Sequence, residues 1–271
     1  MIKGISVGLV VLLVGCATEG TKPEAPTARF DLRAALGGSD VTPIGIAVTS
    51  DGTRFVFDET RGLYRIDGDQ LTSILTMEQM PTPDKPMRLP VTDLVALAPN
   101  LFAMTAIGDG FLLDTTAMTL QQHFCYLPDG GDGMPTSLTQ RTDAIAYDAT
   151  ADKLYAQPLT YDGTGVLQYA QVARYNRVTG VAEQWSNAPA GTAATGSVFL
   201  PDLGLVLGQG ATLSRFDAET QSTTVLDDLS RFGVRSIDGL ASDASANTLV
   251  VVDKEADAVF DIDLARISLS R

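Results

Sequence analysis

The segment "RSIDGLASDAS", residues 235–245, places an aspartate directly before a short apolar run that has the composition of a β-strand. Two related segments occur upstream, "VTDLVALAP" at residues 91–99 and "RTDAIAYDA" at residues 141–149. A pattern that returns at distant positions of one chain indicates a repeated structural unit. The same aspartates could hold a metal ion, or they could serve the turn that begins each unit.

Two landmarks define five units. The first is an apolar residue in the leading strand, and it recurs at intervals of 49, 50, 53 and 42 residues: Ile46, Val95, Ile145, Val198 and Leu240. The second is an aspartate or asparagine that closes a later strand: Asp67, Asp114, Asn176, Asp217 and Asp263. Side chains of this type bond nearby backbone N–H groups and suit the turn into a following strand.

Each unit is predicted to contain four strands. In the first unit, turn residues separate the runs 44–49, 54–57, 63–66 and 71–75, and no long stretch of the chain has helical periodicity. Four antiparallel strands repeated radially predict an all-β fold, a β-propeller, with five blades by this count and six as the alternative. The segment "TARFD", residues 27–31, resembles "LSRFD" and could complete the last blade; residues 267–270 are the alternative outer strand.

The N-terminus has the features of an export signal. Lys3 precedes an apolar run over residues 5–14 that is too short to span a bilayer comfortably. The run ends in Leu13-Val14-Gly15-Cys16, which resembles the lipobox of bacterial lipoproteins. That resemblance implies lipidation of Cys16, cleavage before it and attachment to the bilayer of the cell envelope, and Ala17 fits the sorting pattern of the outer membrane. An ordinary signal peptide is the alternative.

The predicted organisation is therefore a signal peptide over residues 1–15, a lipidated cysteine with a flexible tether over residues 16–29, and a propeller domain over residues 30–271. The net charge of −14 at pH 7 disfavours binding to nucleic acid. With Cys16 lipidated, Cys125 is the one remaining thiol, so no intramolecular disulfide is expected. His123 is the only histidine and is predicted on an outer strand, which argues against histidine-based catalysis.

The recurring aspartates are the candidate site. If each leading strand starts at one face, the loops between blades and the loops between second and third strands share that face. Asp93, Asp143 and Asp238 would then point at the mouth of the central channel. Carboxylates brought together repel one another, and a hard cation such as Ca²⁺ relieves that repulsion. The sequence thus predicts a divalent cation, calcium above others, on these three residues, with turn capping as the alternative for each.

The segments "PIGIAVTSDGTRFVFDE", residues 43–59, and "IDGLASDASANTLVVVDK", residues 237–254, resemble blades of NHL-type and regucalcin/gluconolactonase-like propellers. In the lactonases of that group, acidic or amide residues before the innermost strands hold a divalent cation that polarises a sugar lactone. Asp238 matches such a position, whereas Asp143 and Asp93 match by their place in the repeat. Ile44 stands where those enzymes commonly have glutamate.

Two functions are compatible with these features. The predicted one is a non-enzymatic binding or scaffold module that presents its acidic loop face to an envelope protein or a glycan, because no complete catalytic set is evident. The alternative is a divalent-metal-dependent, lactonase-like hydrolase that uses the three aspartates. An enzyme needs the carboxylates within coordination distance of one ion, whereas a scaffold needs an exposed apolar or charged patch.

Overall fold

The chain folds into five antiparallel sheets of four strands each, arranged as the blades of a β-propeller. The structure, a computed structural model, describes residues 28–85, 87, 90–125 and 139–268. It confirms the predicted all-β class and the count of five blades. The predicted signal peptide and Cys16 lie outside the described residues. Within the described part of the chain, no helix has the length and apolar character needed to cross a membrane.

Each of the first four blades is built from consecutive strands, ordered from the channel outward. Their bounds are, for blade 1, β2 Pro43–Val48, β3 Arg54–Asp58, β4 Gly62–Asp67 and β5 Gln70–Thr76; for blade 2, β6 Val91–Ala98, β7 Leu101–Ala106, β8 Asp109–Asp114 and β9 Thr119–Cys125; for blade 3, β10 Thr139–Asp148, β11 Lys153–Tyr161, β12 Leu167–Asn176 and β13 Ala182–Asn187; and for blade 4, β14 Gly196–Leu200, β15 Gly204–Gln209, β16 Thr212–Asp217 and β17 Ser222–Asp228.

The fifth blade joins the two ends of the described chain. Its inner strands are β18 Gly239–Asp243, β19 Thr248–Asp253 and β20 Ala258–Asp263, and its outer strand is β1, Ala28–Asp31. Strand β1 runs antiparallel to β20, with Ala28 opposite Asp261 and Asp31 opposite Ala258. The prediction that the segment "TARFD" completes the last blade is therefore confirmed. Strand β1 begins within residues 16–29, the segment predicted as a tether. The alternative outer strand at 267–270 is wrong, because Ile267 and Ser268 follow a short 3-10 helix outside the sheet.

Strand β1 leads into the first blade through a short helix, α1, Leu32–Ala35. The Asp31 side chain caps this helix by accepting a hydrogen bond from the Ala34 N–H at 2.8 Å. Leu32 is buried in the apolar core between blades 5 and 1. Short 3-10 helices lie at Met77–Gln79, Leu229–Phe232 and Leu264–Arg266.

The hydrophobic core is divided among the interfaces between blades. Five clusters of buried apolar side chains lie between successive blades, including one between blade 5 and blade 1 that closes the ring. Strand β19 is buried along Leu249–Val252, as its continuous apolar run predicts for a strand covered on both faces. Because every sheet is covered by two neighbours, the ring needs no disulfide to close it.

The predicted turn chemistry is found at several closing residues. Asp114, Asn176 and Asp217 each accept two hydrogen bonds from the backbone N–H groups of the following turn. Blade 3 has the longest strands. Residues 157–165 contain a proline and several turn-forming residues, yet β11 continues through Pro158 to Tyr161, and only residues 162–166 separate it from β12, which begins at Leu167.

Candidate functional site

A small cavity lies where the innermost strands begin, on the face formed by the loops between blades. This loop-face cavity has a volume of about 90 Å³, and its charged lining residues are Glu59, Arg141, Asp143, Asp238 and Lys254. Asp238 stands just before β18, whereas Asp143 is the fifth residue of β10, the longest of the innermost strands, which begins at Thr139. Two of the three aspartates proposed as cation ligands therefore meet in one cavity.

Asp143 forms an ion pair with an arginine on its own strand. It is buried, and its carboxylate Oδ1 accepts a hydrogen bond from Nε of Arg141. These residues are two apart in β10, so their side chains lie on the same side of the strand. Burial raises the pKa of Asp143, and the charge and the hydrogen bond of Arg141 oppose that rise. Arg141 remains about half exposed, with 48% of its side chain accessible.

Asp238 is held by backbone and hydroxyl groups. Its Oδ2 accepts a hydrogen bond of 2.9 Å from the backbone N–H of Lys254, the residue that follows β19. Burial raises the pKa of Asp238, and the Lys254 N–H and the Ser236 hydroxyl oppose this, while the nearby Asp253 raises it further. A carboxyl group with a raised pKa next to a cavity is suited to accept and return a proton.

Asp93 does not line this cavity. Its side chain is fully buried, with Oδ1 accepting from the Leu94 N–H at 2.8 Å and Oδ2 from the Ile145 N–H at 3.0 Å. Burial raises the pKa of Asp93 well above its ordinary value, and Asp143 adds to the rise, whereas the Ile145, Leu94 and nearby Ser197 N–H groups oppose it. Asp93 thus links the innermost strands of blades 2 and 3 by hydrogen bonds.

The backbones of the other blades approach closely beside Asp93. A Cβ atom built on Gly45 would lie 2.9 Å from Asp93 Oδ1, and one built on Gly239 would lie 2.8 Å from the Cα of Gly45. A Cβ on Gly196 would in turn lie 2.9 Å from the Cα of Gly239. These glycines let β2, β14 and β18 come together, so the channel is narrow at the level of Asp93.

The acidic residues of the neighbouring loops mostly serve their own turns. Asp58 accepts hydrogen bonds from the N–H groups of Thr42, Thr60 and Arg61, at 2.6, 2.9 and 2.9 Å. Asp253 occupies in blade 5 the position that Asp58 has in blade 1. It accepts hydrogen bonds from the Arg235 N–H at 2.6 Å and the Ala256 N–H at 2.8 Å. Asp162 does the same for Thr164 and Val166. For these residues, turn chemistry explains the carboxylate.

The three aspartates do not form one ligand set. Among the residues that the structure describes, no three His, Cys, Asp or Glu side chains lie close enough together to hold a metal ion. Asp93 has both oxygens engaged by backbone N–H groups, and Asp143 is engaged by Arg141. The residues present do not fit a calcium ion on Asp93, Asp143 and Asp238 together. The predicted binding of a divalent cation stays a prediction.

Sequence reasoning missed the two basic members of the cavity. Arg141 stands two residues before Asp143 in the segment "RTD", so the two-residue period of a strand predicts that both side chains share a side. Lys254 ends the segment "VVVDK", directly after the second strand of blade 5, where the loops of this face begin. The cavity is consequently of mixed charge, whereas the recurring aspartates predict an acidic channel mouth.

Comparisons with known proteins support the architecture. Neither a protein-family model nor a curated protein significantly matches the sequence. A gluconolactonase from Xanthomonas campestris superposes with a TM-score of 0.51 at 11% sequence identity, covering 84% of this chain and 72% of that one. A luciferin-regenerating enzyme superposes with a TM-score of 0.50 at 14% identity, covering 89% of this chain and 78% of that one. The resemblance to gluconolactonase-like propellers is thereby confirmed at the level of the fold.

Proposed function

We propose that the protein is a hydrolase of small cyclic esters, related in fold to the gluconolactonases, and that the loop-face cavity is its active site. The observation that carries this proposal is the meeting of two carboxyl groups of raised pKa, Asp143 and Asp238, with the cations of Arg141 and Lys254. Proton transfer groups and cations at one cavity are what ester hydrolysis requires. The fold similarity to a gluconolactonase supports the same reading.

In the proposed reaction, Asp238 acts as the general base. Its carboxylate takes a proton from a water molecule as the water oxygen attacks the carbonyl carbon of the ester. The carbonyl oxygen gains negative charge, which the Arg141 guanidinium stabilises while Asp143 fixes its position. The ring C–O bond then breaks, and the proton returns from Asp238 to the leaving oxygen. The raised pKa of Asp238 makes it a stronger base than an ordinary aspartate.

The size of the cavity limits what enters it. The cavity has a volume of about 90 Å³, which is small compared with the roughly 300–1,000 Å³ of typical small-molecule sites. The reacting ester group fits this space, while the remainder of a sugar lactone would lie against the surrounding loops. The substrate class proposed is therefore a monocyclic lactone with its polar substituents directed toward solvent.

The test is hydrolysis of D-glucono-δ-lactone and a short panel of δ- and γ-lactones by the full-length protein. Asp238→Asn should lower kcat by about 10²–10⁴-fold, because it removes the group that accepts the proton. The matched control is Asp202→Asn, an exposed aspartate in the turn after β14. Hydrolysis no faster than the spontaneous reaction across the panel, or an Asp238→Asn variant as active as the parent, would refute the proposal.

The predicted calcium is tested in the same assay. Parent protein is measured after EDTA treatment and again with added Ca²⁺ or another divalent cation. A rate that falls with EDTA and returns with one cation supports a metal-dependent enzyme, with Asp143 and Asp238 among its ligands. An unchanged rate supports catalysis by the side chains alone. Thermal unfolding under the same conditions reports binding of the cation independently of activity.

A binding or scaffold role is the second candidate, and one observation favours it. Among the described residues, seven large apolar side chains are exposed, and five of them belong to blade 3: Val166, Tyr169, Val178, Val181 and Trp185. Tyr169 and Trp185 lie on its two outer strands and Val178 and Val181 in the turn between them, while Val166 lies in the loop between β11 and β12 on the loop face. If every lactone is inert, an envelope protein or glycan bound through the loop face or blade 3 becomes the leading hypothesis.

A further inference from the structure

A second and larger cavity lies at the opposite end of the channel. It has a volume of about 390 Å³ and is lined by the later residues of β2, β6 and β10, by residues of β14 and β18, and by the turns that follow four of these strands. The loop-face cavity is lined by residues just before these strands or in their first halves, and by Glu59 and Lys254, which directly follow β3 and β19. The two cavities have no lining residue in common, and the backbone contacts of Gly45, Gly196 and Gly239 beside Asp93 lie between them.

The walls of this strand-end cavity are largely apolar. Every blade contributes to them, for example through Val48, Leu97, Tyr147, Phe199 and Leu240. Binding sites for small molecules typically have volumes of about 300–1,000 Å³ and walls that are mainly apolar with a few polar groups. The strand-end cavity meets both criteria, whereas the loop-face cavity is well below that size.

The rim of the strand-end cavity is negatively charged. Asp148 and Asp243 are the charged residues among its described lining residues, and both are acidic. Asp148 Oδ1 accepts hydrogen bonds from the N–H groups of Thr150 and Ala151, at 2.9 and 3.0 Å, which orient the carboxylate without neutralising it.

Asp243 shares its cation with a second carboxylate. Arg54 lies 3.6 Å from Asp243 Oδ2 and 2.5 Å from Asp261 Oδ2, so one guanidinium faces two aspartates. Burial raises the pKa of Asp243, but Ser245, Ala246 and Arg54 lower it by more, so this side chain stays ionised at neutral pH. The rim therefore attracts cations, in keeping with the net charge of the whole chain.

We propose that the strand-end cavity binds a small organic cation with an apolar body, such as an aromatic amine. The apolar part contacts the strand ends, and the ammonium group lies at the rim near Asp148 and Asp243. An anionic ligand of the same size would meet two carboxylates and bind more weakly. This site is independent of the hydrolase proposal, since it uses neither the residues nor the face of the loop-face cavity.

The test compares three probes of matched size that differ in charge: benzylamine, which is protonated at pH 7, benzyl alcohol and benzoate. Ligand-observed NMR titrations with the full-length protein should give benzylamine a dissociation constant of about 1 mM or lower. Benzyl alcohol should bind about three- to tenfold more weakly, as expected for loss of one partly screened charge interaction. Benzoate should bind more weakly than either.

Two kinds of variant locate the site. Ala149→Trp and Ala244→Trp fill the cavity from exposed lining positions in two different blades, and each should abolish binding of all three probes. Ala117→Trp is the matched control, since Ala117 is exposed in the turn between β8 and β9 and does not line the cavity. Asp148→Asn keeps the Oδ1 acceptor and should reduce the affinity for benzylamine alone, by about three- to tenfold.

Three results would contradict the proposed binding site. Weak or absent binding of benzylamine, equal affinity for benzoate, or binding that survives both tryptophan variants would each overturn the proposal. Circular dichroism of every variant checks that the propeller is folded. If one of the two tryptophan variants fails to fold, the other still tests whether filling the cavity abolishes binding. Lactone hydrolysis measured on the Ala149→Trp protein should be unchanged, so the two sites are judged separately.

Discussion

The Asp93 carboxyl group occupies a position at which three innermost strands meet, and its partners there are backbone N–H groups. Leu94 of blade 2 and Ile145 of blade 3 each donate to it, and the Ser197 N–H of blade 4 lies nearby. Buried N–H groups must find acceptors, and a carboxylate supplies two oxygens at a point where no strand pairing is available. Asp93 is thus a structural residue at the channel axis.

Replacing Asp93 with alanine should destabilise the fold. The variant leaves the Leu94 and Ile145 N–H groups without their acceptor, which we expect to lower the free energy of unfolding by about 2–4 kcal/mol. Because burial raises the pKa of Asp93, the native state holds a proton at pH values where the unfolded chain has lost it. The stability contributed by Asp93 is therefore complete below the unfolded pKa and declines as the pH rises through the native pKa.

Urea unfolding at pH 5 and pH 8 measures both effects. The parent should exceed Asp93→Ala in stability at both values, and by a larger margin at pH 5. Asp202→Ala, at an exposed turn, is the control and should match the parent. An Asp93→Ala midpoint equal to that of the parent would show that these N–H groups find other acceptors.

The sequence could not separate Asp93 from Asp143 and Asp238, since all three occupy the same place in the repeat. What distinguishes them is the neighbouring blade. Asp93 faces the backbones of β10 and β14, Asp143 meets an arginine on its own strand, and Asp238 meets the start of a loop. Repetition predicts which residues occupy equivalent positions, but contacts between blades depend on residues about fifty positions away.

At the scale of elements, the strands were predictable because each is short and bounded by turn residues. The predicted runs 44–49, 54–57, 63–66 and 71–75 correspond to β2 to β5 with bounds that differ by one residue. The outer strand of blade 5 was predictable because "TARFD" resembles a third strand of the repeat. The extension of β11 and β12 was not, since turn-forming residues within a hairpin do not reveal how far its strands pair.

Strand β1 pairs with the outer edge of β20, so removing β1 should lower the free energy of unfolding. Deleting residues 1–31 leaves that edge unpaired and removes the packing of Phe30 against the core between blades 5 and 1. We expect a loss of about 3 kcal/mol or more of unfolding free energy from the lost backbone hydrogen bonds and apolar contacts. The exposed edge should also promote self-association.

A deletion of residues 1–27 is the matched comparison, because it keeps β1 intact. Urea unfolding and size-exclusion chromatography of both proteins make the measurement. The shorter deletion should unfold at the same urea concentration as the full chain and elute as the same species. Equal stability of the two deletions would mean that the ring closes without β1.

At the scale of the whole molecule, the direction of β1 relates the N-terminus to the two cavities. Ala28 lies opposite Asp261, and Asp31 lies opposite Ala258 next to the loop between β19 and β20, so the chain enters from the end that carries the strand-end cavity. We propose that Cys16 anchors this end toward the membrane. Residues 17–27 can extend at most about 40 Å, so this end of the propeller would stay within that distance of the bilayer.

Cys16→Ala should release the protein from membranes into the soluble fraction, because a lipid anchor requires the thiol at that position. Cys125→Ala is the matched control, since it removes the other cysteine of the chain and should leave the protein in the membrane fraction. Fractionation of cells that produce each variant, together with metabolic labelling by a fatty acid, makes the measurement. Retention of Cys16→Ala in the membrane, or equal labelling of both variants, would exclude Cys16 as the anchor. Release of Cys16→Ala with lactone hydrolysis intact would show that the anchor sets the location of the propeller without contributing to its chemistry.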